Sequence, residues 1–213
     1  MPTLLAARAE HYARNEFGDD GGASRAWDEA EFGPIPYAVP NPPARVEALA
    51  VHDFHHVLTG YPTSWQGESL ISAWEIGSGG AGRYVYAWGI ALFGFFVGLL
   101  AFPRATLRAF RRGRAGRNLY AEADITRWYP RSVSEARRVL AVAPEGPQLD
   151  VRVSDVGLLA LAAAAALPVL ALTMLLAPAM VLAALARRGY VGLGELMRCS
   201  GSCRCPLSSP TAG

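Results

Sequence analysis

The chain has 213 residues, of which 52% are hydrophobic, and its formal net charge is +2. This length is enough for one domain and an appendage, and a mean hydropathy of +0.18 is unusual for a freely soluble domain. The charge is uneven, because residues 1–75 carry four Arg against eleven acidic residues, whereas residues 103–138 carry ten Arg against three. The basic stretch is interpreted as a solvated face or as a surface for anionic lipid headgroups. Hydrophobic runs rather than stacked aromatic residues border it, which argues against a nucleic-acid partner.

The N-terminal residues 3–16 have the periodicity of an amphipathic helix, with Leu4 and Tyr12 on the inward face. Charged residues interrupt this segment, so it predicts neither a secretory signal peptide nor a transit peptide. The expected location of the domain is therefore the cytoplasmic face of a bacterial inner membrane. His11 lies near the apolar face and is interpreted as a packed or exposed histidine rather than as a metal ligand. The Pro-rich residues 33–43 are expected to form an extended connection, since proline does not continue a helix.

Two histidines four residues apart define the most informative stretch of the chain. His52 and His56 lie on one face of a helix that is predicted to begin near Ala44, and Asp53 borders that face. His55 is rotated by about 100° from His56 and points away from it. Packing or surface exposure is favoured for His55 over a contact behind the metal or with a substrate carboxylate.

The residues after this helix bring a further carboxylate to the same place. Gly60-Tyr61-Pro62 breaks the helix, and the capping-box pattern Thr63-x-x-Gln66 predicts a second helix over residues 64–76. A short turn makes the two helices antiparallel neighbours, so Glu68 reaches the level of His56.

Two imidazoles and two carboxylates therefore converge, in a combination that suits a divalent metal. The candidate metal ligands are His52, Asp53, His56 and Glu68. Zinc is the expected ion, and manganese or iron(II) accept the same ligand set. Glu75 lies about two helical turns beyond Glu68, which is too far for the same ion, and is expected to bind a His or an Arg instead.

The same stretch resembles a known protein family. His-Asp-x-x-His followed by eleven residues and Glu is similar to the metal-binding signature of the fourth coenzyme Q (ubiquinone) biosynthesis protein family, here called the Coq-four family. The flanking sequence VHDFHHVLTGYPTSWQGE resembles the family too, as do RAFRRGRAGRNL at residues 108–119 and SEARRVLAV at residues 134–142. The resemblance covers about residues 1–145 and does not extend to the C-terminal third.

Members of the Coq-four family are linked to removal of the C1 carboxylate from a polyprenylated hydroxybenzoate, with a hydroxyl put in its place. They are also described as organisers of the other biosynthetic enzymes. The resemblance therefore implies a compact all-α domain with a metal between antiparallel helices. The residues it implies to be catalytic are His52, Asp53, His56 and Glu68, with Asp53 either a fourth ligand or the group that orients a histidine.

The partners that the resemblance implies are a polyprenylated quinone precursor, membrane lipid and other ubiquinone biosynthesis proteins, and a homodimer is left open. The alternative function is a non-catalytic lipid-binding scaffold that organises those enzymes. An intact set of four ligands favours the enzyme, because a pure scaffold has no need of a metal.

Residues 85–102 form an uncharged run of 18 residues, at the lower edge of the length of a membrane span. Three interpretations are open: a buried core helix, a helix that lines a polyprenyl channel, which is favoured, and a membrane span. Arg104, Arg108 and Arg111 then follow on one helix face. This pattern is typical of a helix at a membrane surface, although a solvated face gives the same pattern.

The C-terminal part carries the strongest membrane signal. Residues 157–186 contain no charged side chain and exceed the roughly twenty residues that cross a bilayer. A membrane span, kinked at Pro168 and Pro178, is favoured over an Ala-rich core helix or a re-entrant hairpin. The predicted organisation is a helical domain over residues 1–145, a linker over 146–156, a transmembrane helix over 157–186 and a disordered tail with ordinary Cys thiols over 187–213.

Overall fold

The computed structural model describes residues 2–142, residue 144 and residues 153–201, with side chains over 155–189 in the last stretch. The helices are α1 (Leu4–Arg14), α2 (Pro43–Thr59), α3 (Trp65–Gly77), α4 (Val85–Ala101), α5 (Pro103–Arg114), α6 (Val133–Val139) and α7 (Val153–Gly201). The strands are β1 (Trp27–Phe32) and β2 (Ile35–Pro40), and short 3-10 turns lie at Leu119–Ala121 and Ile125–Trp128. The described chain is therefore mostly helical, as predicted.

A two-stranded antiparallel sheet interrupts the predicted all-α domain. β1 and β2 pair from Trp27 with Pro40 to Phe32 with Ile35, and Gly33 has a φ of 58° in the two-residue turn. Such turns need a positive φ, which glycine adopts without strain. The prolines of β2 led to the prediction of an unpaired extended connection. Proline is tolerated in this hairpin because both strands of a two-stranded sheet are edge strands.

The chain divides by its contacts into two units. The first comprises Met1–Ala26 and Asn41–Thr173, and the second comprises Trp27–Pro40 and Met174–Gly213. Within the second unit, Arg187 pairs with Glu29 at 2.6 Å and Arg188 pairs with Glu31 at 2.8 Å. The guanidinium of Arg187 also lies over the ring of Trp27. The two arginines that follow the apolar run of α7 therefore bond to the acidic strand of the hairpin.

The core of the first unit lies between α2, α3, α4 and α5. Its largest fully buried side chains include Phe54, Trp74, Phe95 and Phe110. Helix α5 approaches α3 so closely that a Cβ atom on Gly113 would overlap the backbone carbonyl oxygen of Trp74. This close packing fixes the position of α3, one of the two helices that were predicted to carry the metal.

Two arginines hold the C-terminal end of α2, the other of these helices. Arg137 donates to the carbonyl oxygens of residues 57 and 58 at 3.0 and 2.8 Å, and Arg112 donates to the carbonyl oxygen of Thr59 at 2.9 Å. The last carbonyl groups of a helix have no partner within it, so these bonds satisfy them. They also fix the last turn of α2, which carries His56.

Helix α4 is a half-buried helix of the first unit. Ala87, Ala91 and Phe95 are buried, whereas Val85 and Leu100 are 79% and 71% exposed. With 17 residues, α4 is shorter than a typical span. The buried face agrees with the interpretation as a core helix. The exposed apolar face does not decide whether α4 lines a polyprenyl channel, so that interpretation stays a prediction.

Helix α7 contains the predicted membrane span. The stretch Asp155–Gly189 is long and apolar enough to cross a membrane, by its length and composition. Its early turns are not free, because Ala162 and Ala166 are buried in the core of the first unit. Pro168 and Pro178 lie inside a continuous helix.

The predicted linker and tail fall partly outside the described residues. Helix α7 takes in residues 153–156 of the linker and residues 187–201 of the tail, the latter as helix rather than as disordered chain. Residues 146–152 and 202–213, including Cys203 and Cys205, lie outside the described part of the chain.

Candidate metal centre

Three side chains from two helices meet at one point, with His52 and His56 from α2 and Glu68 from the start of α3. The Nε2 atoms of His52 and His56 are 3.1 Å apart. Oε2 of Glu68 lies 3.2 Å from Nε2 of His52, and Oε1 lies 3.3 Å from Nε2 of His56. This group could hold a metal ion, and it has the ligand types that zinc and other divalent metals bind.

The local folding of both helices follows from their caps. Gly60, at a φ of 79°, ends α2, and the side chain of Ser64 accepts a hydrogen bond from the backbone N–H of Gly67 to begin α3. This cap uses Ser64 rather than the predicted Thr63, whose hydroxyl instead donates to Asn15. The short connection brings Glu68 to the level of His56, as the sequence predicted.

The second nitrogen of each histidine determines what the first can do. Nδ1 of His56 lies 2.9 Å from the carbonyl oxygen of Tyr61, and Nδ1 of His52 lies 2.8 Å from Oε1 of Glu75. A carbonyl and a carboxylate only accept hydrogen bonds, so each Nδ1 carries a proton. In the neutral rings both Nε2 atoms then present lone pairs to each other and to Glu68.

Three acceptors within 3.3 Å of one another need a positive charge between them. Without a metal, a proton on His52 supplies this positive charge. Burial alone would lower the pKa of His52, but Glu75 and Glu68 outweigh it and raise the pKa well above its usual value. Protons and a metal would therefore compete for the same lone pair, which makes metal affinity dependent on pH.

Glu75 and His55 form a buried layer behind His52. Oε1 of Glu75 accepts from Nδ1 of His52 and, at 2.7 Å, from Nδ1 of His55. Nε2 of His55 in turn accepts from the backbone N–H of Leu119 at 3.0 Å. Burial alone would raise the pKa of Glu75, but His52 and His55 lower it to about 2, so Glu75 is a carboxylate.

These contacts decide two of the sequence interpretations. The expectation that Glu75 binds a histidine is confirmed. Of the two favoured alternatives for His55, surface exposure is wrong and packing is correct, because its side chain is fully buried. His55 also takes the position behind the metal-binding group, which was the less favoured alternative. The bond from Leu119 to His55 joins residues 64 apart, so no local spacing could have predicted it.

Asp53, the fourth predicted ligand, has a different partner. Its Oδ2 accepts a hydrogen bond from the hydroxyl of Tyr12 at 2.7 Å, and burial raises the pKa of this carboxyl above its usual value. The group of potential ligands that lies within 4.8 Å contains the two histidines and Glu68, without Asp53. In this arrangement Asp53 ties α1 to α2.

Helix α1 also brings His11 to the centre. The rings of His11 and His56 are stacked, with centroids 5.2 Å apart and an interplanar angle of 20°. Burial lowers the pKa of His11 to about 4, and His56 adds to the shift, so this imidazole is neutral at physiological pH. The sequence predicted a packed or exposed histidine, and packing is correct. Its position against His56 depends on how α1 crosses α2.

Access to the centre is from the side of Glu68. Its side chain is 33% exposed, compared with 7% for His52 and 2% for His56. The carboxylate therefore borders solvent while the imidazoles are enclosed. An ion held here would keep an open side, the arrangement typical of catalytic rather than structural metal sites.

Comparison of the chain with protein-family models, with curated proteins and with solved structures gives no match.

Proposed function

We propose that the chain acts in ubiquinone biosynthesis, as a metal-dependent enzyme that replaces the C1 carboxylate of a polyprenylated hydroxybenzoate with a hydroxyl at the membrane. The observation that carries the proposal is the convergence of His52, His56 and Glu68 within 3.3 Å. These are three of the four residues in the motif that resembles the Coq-four family. The proposed reaction is inferred from the resemblance of the motif, and the convergence of the three side chains supports a bound ion.

The residues that would hold the ion are His52, His56 and Glu68. Zinc is the first choice, and manganese or iron(II) accept the same ligands. When bound, such an ion supplies Lewis-acid stabilisation of a substrate carboxylate or phenolate. Asp53 remains the candidate fourth ligand, or the group that fixes α1 through Tyr12.

The chain itself prepares the centre for that role. Glu75 and the carbonyl oxygen of Tyr61 hold the histidines in the tautomer whose Nε2 lone pairs are available. Glu68 borders solvent, so substrate approaches along its side. Starting from the carboxylate anion, the replacement takes up water and releases carbon dioxide, one proton and two electrons. The proposed acceptor of the two electrons is dioxygen, which they reduce with two protons to hydrogen peroxide.

Apolar surface supports a membrane location for this chemistry. Val85 and Leu100 of α4 are largely exposed, and α7 has the length and composition of a span. We place the domain on the cytoplasmic face of a bacterial inner membrane, with a polyprenylated precursor and other ubiquinone biosynthesis proteins as partners. The same apolar surface favours the second candidate function, a lipid-binding scaffold without catalysis.

The test pairs Glu68→Gln with a control, Glu47→Gln, in cells that lack their own copy of the gene. Glu47 lies on α2 with a side chain that is 61% exposed and paired only with Arg83 among the bonds described. We expect close to one divalent ion in the purified wild-type and control chains, and full ubiquinone synthesis from both. Glu68→Gln should fold, lose most of the metal and fail to restore synthesis. If it loses the metal yet restores full synthesis, the scaffold is the correct function.

A further inference from the structure

His11 has no role in the proposed function, yet it is a polar group buried beside the centre. Only 8% of the surface of this residue is exposed. Its Nε2 atom is buried and has no hydrogen-bond partner among the described residues. Buried polar atoms in folded proteins nearly always have a partner, so this nitrogen lacks the hydrogen-bond partner that its burial calls for.

The neighbouring amide shows which nitrogen of His11 carries the proton. Oδ1 of Asn15 accepts from the hydroxyl of Thr63 at 2.7 Å, and Nδ2 of Asn15 donates to the carbonyl oxygen of His11 at 2.8 Å. The amide is thereby held with its nitrogen toward the ring, 3.4 Å from Nδ1 of His11. An amide N–H only donates, so Nδ1 accepts and the proton of the neutral ring is on Nε2.

The position of His11 fits a donor to a ligand better than a fourth metal ligand. Its ring stacks on that of His56, with the centroids 5.2 Å apart, so His11 lies beside the centre. It is outside the group whose ligand atoms lie within 4.8 Å of one another. A protonated Nε2 also has no lone pair for a metal, but it can donate a hydrogen bond to an oxygen.

We propose that Nε2–H of His11 donates a hydrogen bond to an anionic oxygen of the molecule that binds at the centre, a carboxylate oxygen of an aromatic acid. This inference rests on the metal centre of the proposed function and extends it, because it assigns a substrate-binding donor on α1, outside the motif. The donor is neutral and enclosed, and a hydrogen bond to a charged acceptor is stronger than one between neutral groups. His11 therefore favours the anionic form of the ligand.

The experiment uses the full chain in detergent, loaded with Co²⁺, whose visible absorption reports the ligands of the ion. The probe is 4-hydroxybenzoate, and its neutral analogue 4-hydroxybenzamide is the control ligand. Three variants are compared with the wild type: His11→Gln, His11→Asn and His11→Phe. The amide nitrogen of Gln reaches about as far as Nε2 of His, whereas that of Asn reaches only as far as Nδ1.

We expect His11→Asn and His11→Phe to raise the dissociation constant of 4-hydroxybenzoate about ten-fold or more, the usual effect of losing a hydrogen bond to a charged group. His11→Gln should stay within about three-fold of the wild type, because it keeps a donor at the position of Nε2. The cobalt spectrum without probe should be the same in all four chains, and the affinity for 4-hydroxybenzamide should not depend on residue 11. If His11→Phe does not fold, the Asn and Gln variants decide.

Three results would overturn the proposal. Equal affinities for 4-hydroxybenzoate in all chains, or no binding of it by the cobalt-loaded wild type, would show that His11 donates to no such anion. Loss of cobalt or a changed spectrum in the variants would make His11 part of the metal centre, and the proposed function would stand. A wild-type chain that takes up no cobalt would overturn the metal centre and this inference together.

Discussion

Nδ1 of His52 lies 2.8 Å from Oε1 of Glu75, and both groups are almost fully enclosed. In the neutral ring, this bond keeps the proton on Nδ1 and leaves the Nε2 lone pair of His52 facing Glu68. A carboxylate behind a metal-bound histidine is a common feature of metal sites, where it fixes the ring and increases its basicity. Glu75 is therefore a positioning residue for the candidate centre.

We predict that Glu75→Gln weakens metal binding by about 10–100-fold, the usual effect of losing such a partner. The new amide can donate to Nδ1 of His52, which would move the proton to Nε2 and block the metal. Competition with a chromophoric zinc chelator measures the affinity. Glu47→Gln, on an exposed part of α2, is the control, and an unchanged affinity in Glu75→Gln would show that the carboxylate has no part in the centre.

The packing of α5 on α3 gives a prediction about stability. Gly113→Ala puts a methyl group against the backbone carbonyl of Trp74, and backbone cannot move aside as a flexible side chain can. We expect a loss of about 1–3 kcal/mol in the free energy of unfolding. Gly89→Ala is the matched control, because no atom lies within 4 Å of the added Cβ apart from the neighbouring residues and the adjacent backbone of its own helix. In a helix interior that change stabilises by about 0.5–1 kcal/mol.

Thermal unfolding in the same detergent compares the two variants with the wild type. The melting temperature should fall in Gly113→Ala and stay the same or rise in Gly89→Ala. Equal shifts in the two variants would mean that α3 and α5 are not in close contact at Gly113.

The two helices of the centre could be predicted because their signals are local. The sequence placed the start of α2 near Ala44 and α3 over residues 64–76, and they span Pro43–Thr59 and Trp65–Gly77. Apolar periodicity, a Gly-x-Pro break and a capping residue each act within a few positions. The convergence of His52, His56 and Glu68 follows from those bounds and a short turn.

The bond of Glu75 to a histidine was predicted, but other contacts around the centre join distant residues and could not be predicted. The partners of Asp53 and His55 are Tyr12 and Leu119, which are 41 and 64 residues away. The hairpin was missed for a different reason. Its prolines are typical of unpaired chain, and only the pairing of β1 with β2 shows that they lie on edge strands.

Stability should depend on pH through His11. Its pKa falls from 6.5 to about 4 on folding. Above pH 6.5 the ring is therefore neutral in both the unfolded and the folded chain, and its titration takes nothing from the free energy of unfolding. As the pH decreases from 6.5 to 4, the unfolded chain binds a proton that the folded chain does not, and stability is lost. The loss at pH 4 is on the order of 3 kcal/mol.

Urea unfolding at pH 7 and at pH 4.5, with a chelator present throughout, measures this contribution. His11→Gln has no titrating group at this position, so its stability should decrease less between the two pH values than that of the wild type. The comparison cancels the titration of the other histidines and carboxylates. An identical decrease in both chains would show that His11 is not buried in its neutral form.

The last prediction concerns the membrane. A chain that ends at Thr173 keeps the residues of α7 that pack on the core of the first unit, such as Ala166, and loses the rest of the apolar helix. We expect this shortened chain to float with anionic liposomes at low salt, because α4 exposes apolar side chains and α5 exposes Arg104 and Arg108. Each Arg near an anionic surface contributes about 1 kcal/mol.

Replacing both arginines, as Arg104→Ser with Arg108→Ser, should therefore reduce partitioning about 30-fold. Arg127→Ser is the control, since this side chain is 82% exposed but lies outside α5. Salt at about 1 M reduces the Debye length to about 3 Å and should release the shortened chain. If that chain does not float at low salt, α7 beyond Thr173 is the anchor. If flotation is the same with and without the two arginines, attachment depends on apolar surface, and α5 is a solvated helix.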